Sequence, residues 1–290
     1  MTDLVTIVDA GVDWITCTFA DGKIPLRDRL SVQRIFEDEV RAGNEETAWF
    51  QSGYVGRHCG GVEFGERHDG FCLRLHGPTA HEHWNRFAES ASNVSRLDLQ
   101  VTVKKEGGPT RSIANCYRQA RRYYKGNGNA PALSMFRTSA GGSTFYIGKR
   151  ASDVYVRIYD KEAESQLDHY KDCVRYEVEL KNERAFLTCR SLASSPTPEA
   201  AVLAIVWTYI RDRGIRPPWH IKDRASNRCS YSSSNAQKRL QWLERSVRPA
   251  VRDLIESGMM VQALDALGLS AMLGRECGPV IEFESKVKEG

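Results

Sequence analysis

The feature that most constrains the fold is a set of three short stretches in which charged or reactive residues alternate with other residues. They are residues 96–100, 155–161 and 175–181. Because successive side chains of a β-strand point to opposite faces, each stretch read as a strand has one polar side. That side carries Arg96, Asp98, Gln100, Tyr155, Arg157, Tyr159, Lys161, Arg175, Glu177, Glu179 and Lys181. Intervening aliphatic residues such as Val156 and Val178 fall on the other side and can form a core.

The composition sets broad limits on the class of protein. With 290 residues, a net charge of +4 and a pI of about 8.6, the chain is mildly basic and compatible with nucleic acid without proving it. The eight cysteines are scattered with no Cys-x-x-Cys pair, so we expect reduced thiols in a cytoplasm. No secretion signal is visible, and the longest apolar run, residues 200–210, is about half of a membrane span. We therefore expect a buried helix there and no contact with a membrane.

The order of the elements predicts an α+β fold, with a central antiparallel β-sheet, helices on one face and a C-terminal helical segment. Residues 143–148 and 153–161 are predicted to form a hairpin. Beyond the third polar stretch the composition changes. We predict a domain at 1–192 that carries the polar strands, and a helical region at 193–290 with a serine-rich loop near 226–235.

Three carboxylates on the polar side are candidate metal ligands. Asp98, Glu177 and Glu179 offer the oxygen atoms that Mg²⁺ or Mn²⁺ prefers, and such a cation supplies positive charge for phosphoryl transfer. Glu177 and Glu179 lie two residues apart, so they point to the same side about 6–7 Å apart. The alternative is that these acids only pair with neighbouring arginines and lysines across an exposed sheet.

A tyrosine on the same side is a candidate nucleophile. Tyr159 lies between Arg157 and Lys161, and we expect these cations to favour the phenolate. Tyr155, four residues earlier on that side, is the second candidate. The alternative for either tyrosine is a packing role in the strand.

Basic residues elsewhere are candidate contacts for nucleic acid. The predicted helix at 117–125 mixes tyrosines with Arg118, Arg121 and Arg122, and Lys149 and Arg150 lie at the tip of the predicted hairpin. Basic side chains can hold phosphates while tyrosines stack on bases, although a solvated helix face explains the same pattern. His76 follows an alternating strand and can reach the polar side, although a lone histidine is more often structural.

The most specific pattern joins three motifs in order. Residues 142–148 are followed by Arg-Ile-Tyr-Asp-Lys at 157–161 and Arg-Tyr-Glu-Val-Glu-Leu-Lys at 175–181. Together they resemble the replication initiation factor family, whose members are rolling-circle initiators of plasmids and filamentous phages and related relaxases. The resemblance extends over about residues 10–255.

The resemblance implies sequence-specific nicking of one DNA strand at a replication origin. Tyr159 would be the nucleophile and form a 5′-phosphotyrosine, while Asp98, Glu177 and Glu179 would bind Mg²⁺ or Mn²⁺. Arg157 and Lys161 would hold the scissile phosphate. Arg175 and the basic residues named above would contact DNA. The implied partners are single-stranded or cruciform origin DNA, a host helicase and a second copy of the chain.

Two other functions stay open from the residues alone. A metal-dependent nuclease that uses water would need the acids but not Tyr159. A DNA-binding regulator without catalytic activity would use the polar side as a salt-bridged surface.

Overall fold

The structure is a computed structural model that describes residues 5–20, 24–68, 70–105, 108–137, 141–220 and 257. Within these residues the strands are β1 (Val5–Ala20), β2 (Glu46–Gln51), β3 (Tyr54–Cys59), β4 (Val62–Arg67), β5 (Gly70–His76), β6 (Asn93–Lys105), β7 (Leu133–Arg137), β8 (Ser143–Ile147), β9 (Val154–Asp160) and β10 (Cys173–Lys181). The α-helices are α1 (Leu26–Arg41), α2 (Gly77–Ala88), α3 (Pro109–Tyr123), α4 (Lys161–Ser165), α5 (Asn182–Ala193) and α6 (Pro198–Arg211), and a 3₁₀ turn spans Asp168–Tyr170.

All of these strands belong to one sheet, in the order β2-β3-β4-β5-β1-β6-β10-β9-β8-β7. Every neighbouring pair is antiparallel, which confirms the predicted central antiparallel sheet. The three polar stretches lie in β6, β9 and β10. These strands are adjacent, because β10 pairs with β6 on one side and with β9 on the other.

Helices cover the apolar side of the sheet. The sheet buries Leu97, Leu99, Val156, Ile158, Val178 and Leu180 on this side. The helices α1, α2, α3, α5 and α6 add Ile35, Phe87, Ile113, Leu192 and Ile210 to the same core cluster. Full burial of one such side chain contributes about 1.5–3 kcal/mol, which holds the helices to this side. The α+β class with helices on one face is therefore confirmed.

β1 contains two bulges that change which of its side chains face the core. Its pairing with β6 shifts between Ile7 and Asp9 and again between Val12 and Trp14. The extra residue of a bulge turns the following side chains to the opposite face. Val12 and Ile15 are therefore both fully buried although they are an odd number of positions apart.

The apolar run at 200–210 forms α6, the predicted buried helix. Val202, Val206 and Ile210 lie in the core cluster, and α6 contacts β1 and β6. α6 thus packs on the sheet although it follows the predicted boundary at residue 192. The rest of the predicted C-terminal helical region, including the loop near 226–235, lies outside the described residues. Among the described residues, no helix combines the length and the apolar character needed to cross a membrane.

Candidate active site on the polar face of the sheet

The side of the sheet that faces away from the helical core is called the polar face. Its central residues are Asp98, Gln100 and Thr102 on β6, Arg175, Glu177 and Glu179 on β10, and Tyr155, Arg157 and Tyr159 on β9. Asp98, Glu179 and Tyr155 are cross-strand partners in one row. The next row is Gln100, Glu177 and Arg157, and the third is Thr102, Arg175 and Tyr159. The sheet thus places the candidate nucleophile and all three candidate metal ligands on three adjacent strands.

Asp98 is held by two arginines. Its side chain is almost fully buried and accepts hydrogen bonds from Arg96 Nε at 2.9 Å and Arg96 Nη2 at 2.6 Å. Arg157 Nη2 lies 3.5 Å from the same carboxylate. A bidentate contact of this kind fixes the orientation of the carboxylate as well as its position.

The two glutamates are also paired with cations. Glu177 is buried and forms an ion pair with Arg157 Nη2. Glu179 lies 2.9 Å from Lys181 Nζ and 3.4 Å from Arg96 Nη2. These contacts are the pairing that the alternative interpretation predicted, but the acids are buried instead of lying on an exposed surface.

The arginines separate the three carboxylates from one another. Asp98, Glu177 and Glu179 do not form a group in which all ligand atoms lie within 4.8 Å of each other. Among the described residues, one such group exists, and it consists of His58, Glu63 and His76. A cation bound by the three carboxylates would therefore require the Arg157 or Arg96 side chain to give up part of its contacts.

Burial dominates the protonation of these acids. It raises the pKa of Glu177 to about 8, against the lowering effect of Arg157 and with a further increase from Asp98. Burial likewise raises the pKa of Asp98, although Arg96 acts in the opposite direction. The neighbouring arginines do not fully offset the cost of burying these two negative charges, so the site favours either a proton or an additional cation.

Glu177 is expected to make stability depend on pH. Its pKa is about 8 in the folded protein and about 4.3 in an unfolded chain, so between these values the folded state binds the extra proton. The stabilisation of the folded state that comes from protonated Glu177 is fully present below about pH 4.3 and is lost as the pH rises through 8. In urea unfolding between pH 5 and 9, the free-energy difference between wild type and Glu177→Gln should therefore shift in favour of the variant as pH rises. A difference that stays constant would contradict the prediction.

Tyr159 is buried among polar groups. Its side chain is 9% exposed, and its cross-strand partner is Arg175. Burial and the charge of Glu177 raise the pKa of Tyr159 above its usual range, while Arg175 lowers it. The expectation that flanking cations favour the phenolate is therefore wrong for this structure, because loss of solvation outweighs them. Tyr155 is also buried, its pKa is raised by burial, and its ring stacks on Tyr146.

Arg175, the cross-strand partner of Tyr159, is buried and bonds to neighbouring side chains of the polar face. It was predicted to bind DNA, but it is 4% exposed and donates to Thr102 Oγ1 at 2.9 Å and Asp13 Oδ1 at 3.2 Å. It also lies 3.5 Å from Tyr170 Oη. From the sequence, Asp13 was equally compatible with turn capping and with metal binding, and Tyr170 was not predicted to lie near the site. The usable signal was Gly11-Val12-Asp13-Trp14, where alternation fails in β1.

Lys161 lies outside the strand in which it was predicted. β9 ends at Asp160, whose Oδ1 accepts a hydrogen bond from Ala163 N and caps α4. Lys161 begins that helix, pairs with Glu164 and lies over the Tyr170 ring at 5.3 Å. The helix begins here because an aspartate N-cap followed by acidic residues is more favourable than one further strand residue.

The candidate DNA contacts are divided between two sides of the sheet. Lys149 and Arg150 are exposed at the tip of the β8–β9 hairpin, and Lys181 Nζ bonds to the backbone oxygen of Arg150. Arg118, Arg121 and Arg122 are exposed on α3, whose Ile113, Cys116 and Ala120 pack into the apolar core. The α3 arginines and Tyr159 are therefore on opposite sides of the sheet.

Comparisons with known proteins agree with this fold and identify the family. A rolling-circle replication initiator protein from Geobacillus stearothermophilus has a similar structure, with a TM-score of 0.52 and 19% identity over 76% of this chain and 91% of that one. This similarity shows a shared fold, that of the antiparallel sheet of an initiator. The family model described as replication initiation factor matches residues 109–267, more than half of the chain. The chain therefore belongs to the replication initiation factor family.

A curated relative is the putative DNA relaxase NicK of Bacillus subtilis (strain 168). It is 26% identical over an alignment of 141 positions that covers 42% of this chain. The matched part spans 37% of that relative's own length.

Proposed function

We propose that the protein starts rolling-circle DNA replication or transfer by cutting one strand at an origin with Tyr159. The observation that supports this most is the placement of Tyr159, Asp98, Glu177 and Glu179 on adjacent strands of one face. A tyrosine-based nick needs these groups: an oxygen nucleophile, and acids that bind a hard cation. The family, and a relative named as a putative relaxase, support the same class of reaction.

The reaction is a transesterification. The phenol oxygen of Tyr159 attacks the phosphorus of a backbone phosphodiester, and the bond between phosphorus and the 3′-oxygen breaks. The phenol loses its proton and the 3′-oxygen gains one, so the products are a 5′-phosphotyrosine and a free 3′-hydroxyl. One phosphoester bond replaces another, so the step is reversible without ATP. The 3′-hydroxyl can then prime synthesis.

Arg157 is suited to hold the scissile phosphate. Its side chain is 27% exposed, and Nη2 pairs with Glu177 and Asp98. Its Nε is buried and has no hydrogen-bond partner among the described residues. A buried donor without a partner costs about 1–3 kcal/mol. If the Arg157 side chain turns toward the polar face, a phosphate oxygen can accept a hydrogen bond from this donor and remove that cost.

Lys161 would act on the leaving oxygen. It follows Tyr159 by two residues, and its side chain is only 11% exposed. It pairs with Glu164 at 2.5 Å, so reaching the 3′-oxygen requires that this pair open. As an ammonium donor it would give the 3′-oxygen its proton when the phosphoester bond breaks.

The donor chemistry of the acids fits a divalent cation. Asp98, Glu177 and Glu179 would hold Mg²⁺ or Mn²⁺ through their carboxylate oxygens, and Asp98 and Glu177, whose pKa values are raised by burial, gain from added positive charge. The bound cation would lower the charge that develops on the phosphate oxygens. Arg96 fixes the orientation of Asp98, and Arg157 pairs with Glu177.

DNA would lie across the polar face and reach the β8–β9 hairpin tip. Lys149 and Arg150 there would contact the backbone of the strand, and phosphate contacts of this kind position DNA without reading its sequence. A separate part of the origin would lie on the opposite side of the sheet and contact Arg118, Arg121 and Arg122 of α3. A host helicase and a second copy of the chain stay predictions from the sequence.

A plasmid-nicking assay tests the proposal. Supercoiled plasmid carrying the origin encoded beside this gene is incubated with protein and Mg²⁺ or Mn²⁺, and denaturing gels are used to detect a covalent protein–DNA adduct. We expect relaxed plasmid and an adduct whose attached peptide contains Tyr159. Cleavage without an adduct would favour a nuclease that uses water. Binding without cleavage would favour a DNA-binding regulator.

A further inference from the structure

We infer that His58, Glu63 and His76 form a second metal site, specific for a divalent transition cation such as Zn²⁺ or Co²⁺. The inference goes beyond the proposed nicking reaction, in which these residues have no part. All three lie between residues 58 and 76, outside the 109–267 span that the family model matches.

The sheet register brings the three residues together. His58 on β3 is the cross-strand partner of Glu63 on β4, and Glu63 is the partner of Arg74 on β5. His76 follows Arg74 by two residues, so it points to the same side. His76 is also the partner of Trp14, which is the partner of Asp98. The three ligands therefore lie on the polar face.

The distances are close to those of a metal site. All three ligand atoms lie within 4.8 Å of one another, and Glu63 Oε1 is 4.0 Å from His76 Nε2. Ligand atoms about 2.0–2.1 Å from a tetrahedral Zn²⁺ are about 3.3 Å apart. Side-chain movements that bring the ligand atoms about one ångström closer together would therefore close the site without moving the strands.

Neighbouring groups already orient the ligands. His58 Nε2 lies 3.1 Å from Gly60 O, so it carries the proton and leaves Nδ1 as the acceptor. Thr47 Oγ1 donates to that Nδ1 at 3.1 Å, and a metal would replace this hydroxyl. Ligating histidines commonly donate their other nitrogen to a backbone carbonyl in this way. The His76 ring stacks on Trp14 with centroids 5.0 Å apart, which fixes its plane.

Glu63 is positioned to give one oxygen. Its Oε2 lies 3.3 Å from Arg74 Nη1, while Oε1 faces His76. The Glu63 and His76 side chains are 15% and 29% exposed, so a cation can enter from solvent. Water, or a phosphate oxygen of DNA on the same face, would complete the coordination.

The ligand types distinguish this site from the three carboxylates. Two imidazoles and one carboxylate suit Zn²⁺, Co²⁺ and similar cations, whereas Mg²⁺ prefers oxygen ligands alone. The two sites are also separate in space. His76 on β5 is two strand spacings, about 10 Å, from Asp98 on β6 and four, about 19 Å, from Tyr159 on β9, so a cation at His76 would not contact a phosphate bound at Tyr159.

Cobalt titration of the full-length protein, without DNA, tests the inference. After removal of metal with a chelator, Co²⁺ binding is followed by calorimetry and by visible absorption. With Mg²⁺ in excess to occupy the three carboxylates, we expect one equivalent of Co²⁺ to bind with ligand-field bands and no thiolate charge-transfer band. His76→Ala and Glu63→Gln should weaken binding by at least about 10-fold, the lower end of the cost of changing residues that only support metal ligands. His68→Ala, which removes an exposed histidine in the β4–β5 turn, is the matched control and should bind normally.

Several outcomes would overturn the inference. They are a wild type that binds no Co²⁺, spectra with thiolate ligands, or variants that bind as tightly as wild type. Circular dichroism shows whether each variant is folded. If one variant fails to fold, His58→Ala, which removes the third ligand, replaces it in the titration. Because the readout contains no DNA, failure of the nicking proposal would leave this result unaffected.

Discussion

Tyr159→Phe should abolish the covalent protein–DNA adduct while leaving DNA binding unchanged. The variant keeps the ring that fills the buried position on β9 but removes the oxygen that is proposed to attack phosphorus. Nicking of supercoiled plasmid should fall by at least about 10³-fold, as expected when a nucleophile is removed. The measurements are adduct yield on a denaturing gel and affinity for a single-stranded origin oligonucleotide.

Tyr155→Phe is the matched control for this experiment. Tyr155 lies on the same strand and the same face, is similarly buried, and stacks on Tyr146 with ring centroids 5.6 Å apart. Its hydroxyl has no role in the proposed reaction, so the adduct should persist. An undiminished adduct with Tyr159→Phe, or its loss with Tyr155→Phe alone, would move the nucleophile to another residue.

Arg157→Ala should destabilise the folded protein by about 3–5 kcal/mol at pH 9, the cost of removing one partner from a buried ion pair. The change leaves Glu177 buried and ionised without its donor, and takes one donor from Asp98. At pH 6, where Glu177 is protonated because its pKa is about 8, the loss should be smaller. Urea unfolding at the two pH values measures the difference.

A double variant separates the ion pair from simple loss of packing. Arg157→Ala combined with Glu177→Gln removes both charges, so it should recover much of the stability lost at pH 9. If the double variant is as unstable as Arg157→Ala alone, the destabilisation comes from the cavity left by the arginine and not from the uncompensated carboxylate.

The central strands of the polar face could be predicted from sequence because their alternation is regular. β6, β9 and β10 show period-two patterns over the stretches that matter, so the face of Asp98, Tyr159 and Glu177 follows from counting. The resemblance to the family then suggested which of these residues is the nucleophile and which are metal ligands. The alternation of a single strand does not reveal its neighbours, so the rows that join these residues required the sheet.

Other features required three-dimensional information. The pKa of Tyr159 depends on the burial of its side chain and on Glu177 of a neighbouring strand, neither of which can be read from its flanking residues. The proposed metal site combines residues of β3, β4 and β5, and only the register of two hairpins brings His58 next to His76. From the sequence, His76 was a lone histidine.

The two bulges of β1 interrupt the period-two alternation of its side chains, and they have a consequence for evolution. At Val8 and Asp13 the strand already carries an additional residue that the neighbouring β6 does not match. Gain or loss of one residue at these places alters the local geometry without disturbing the paired segments on either side. Homologues can therefore differ in length within β1 while keeping the same polar face, and ungapped alignment across residues 7–14 will match inward-facing positions to outward-facing ones.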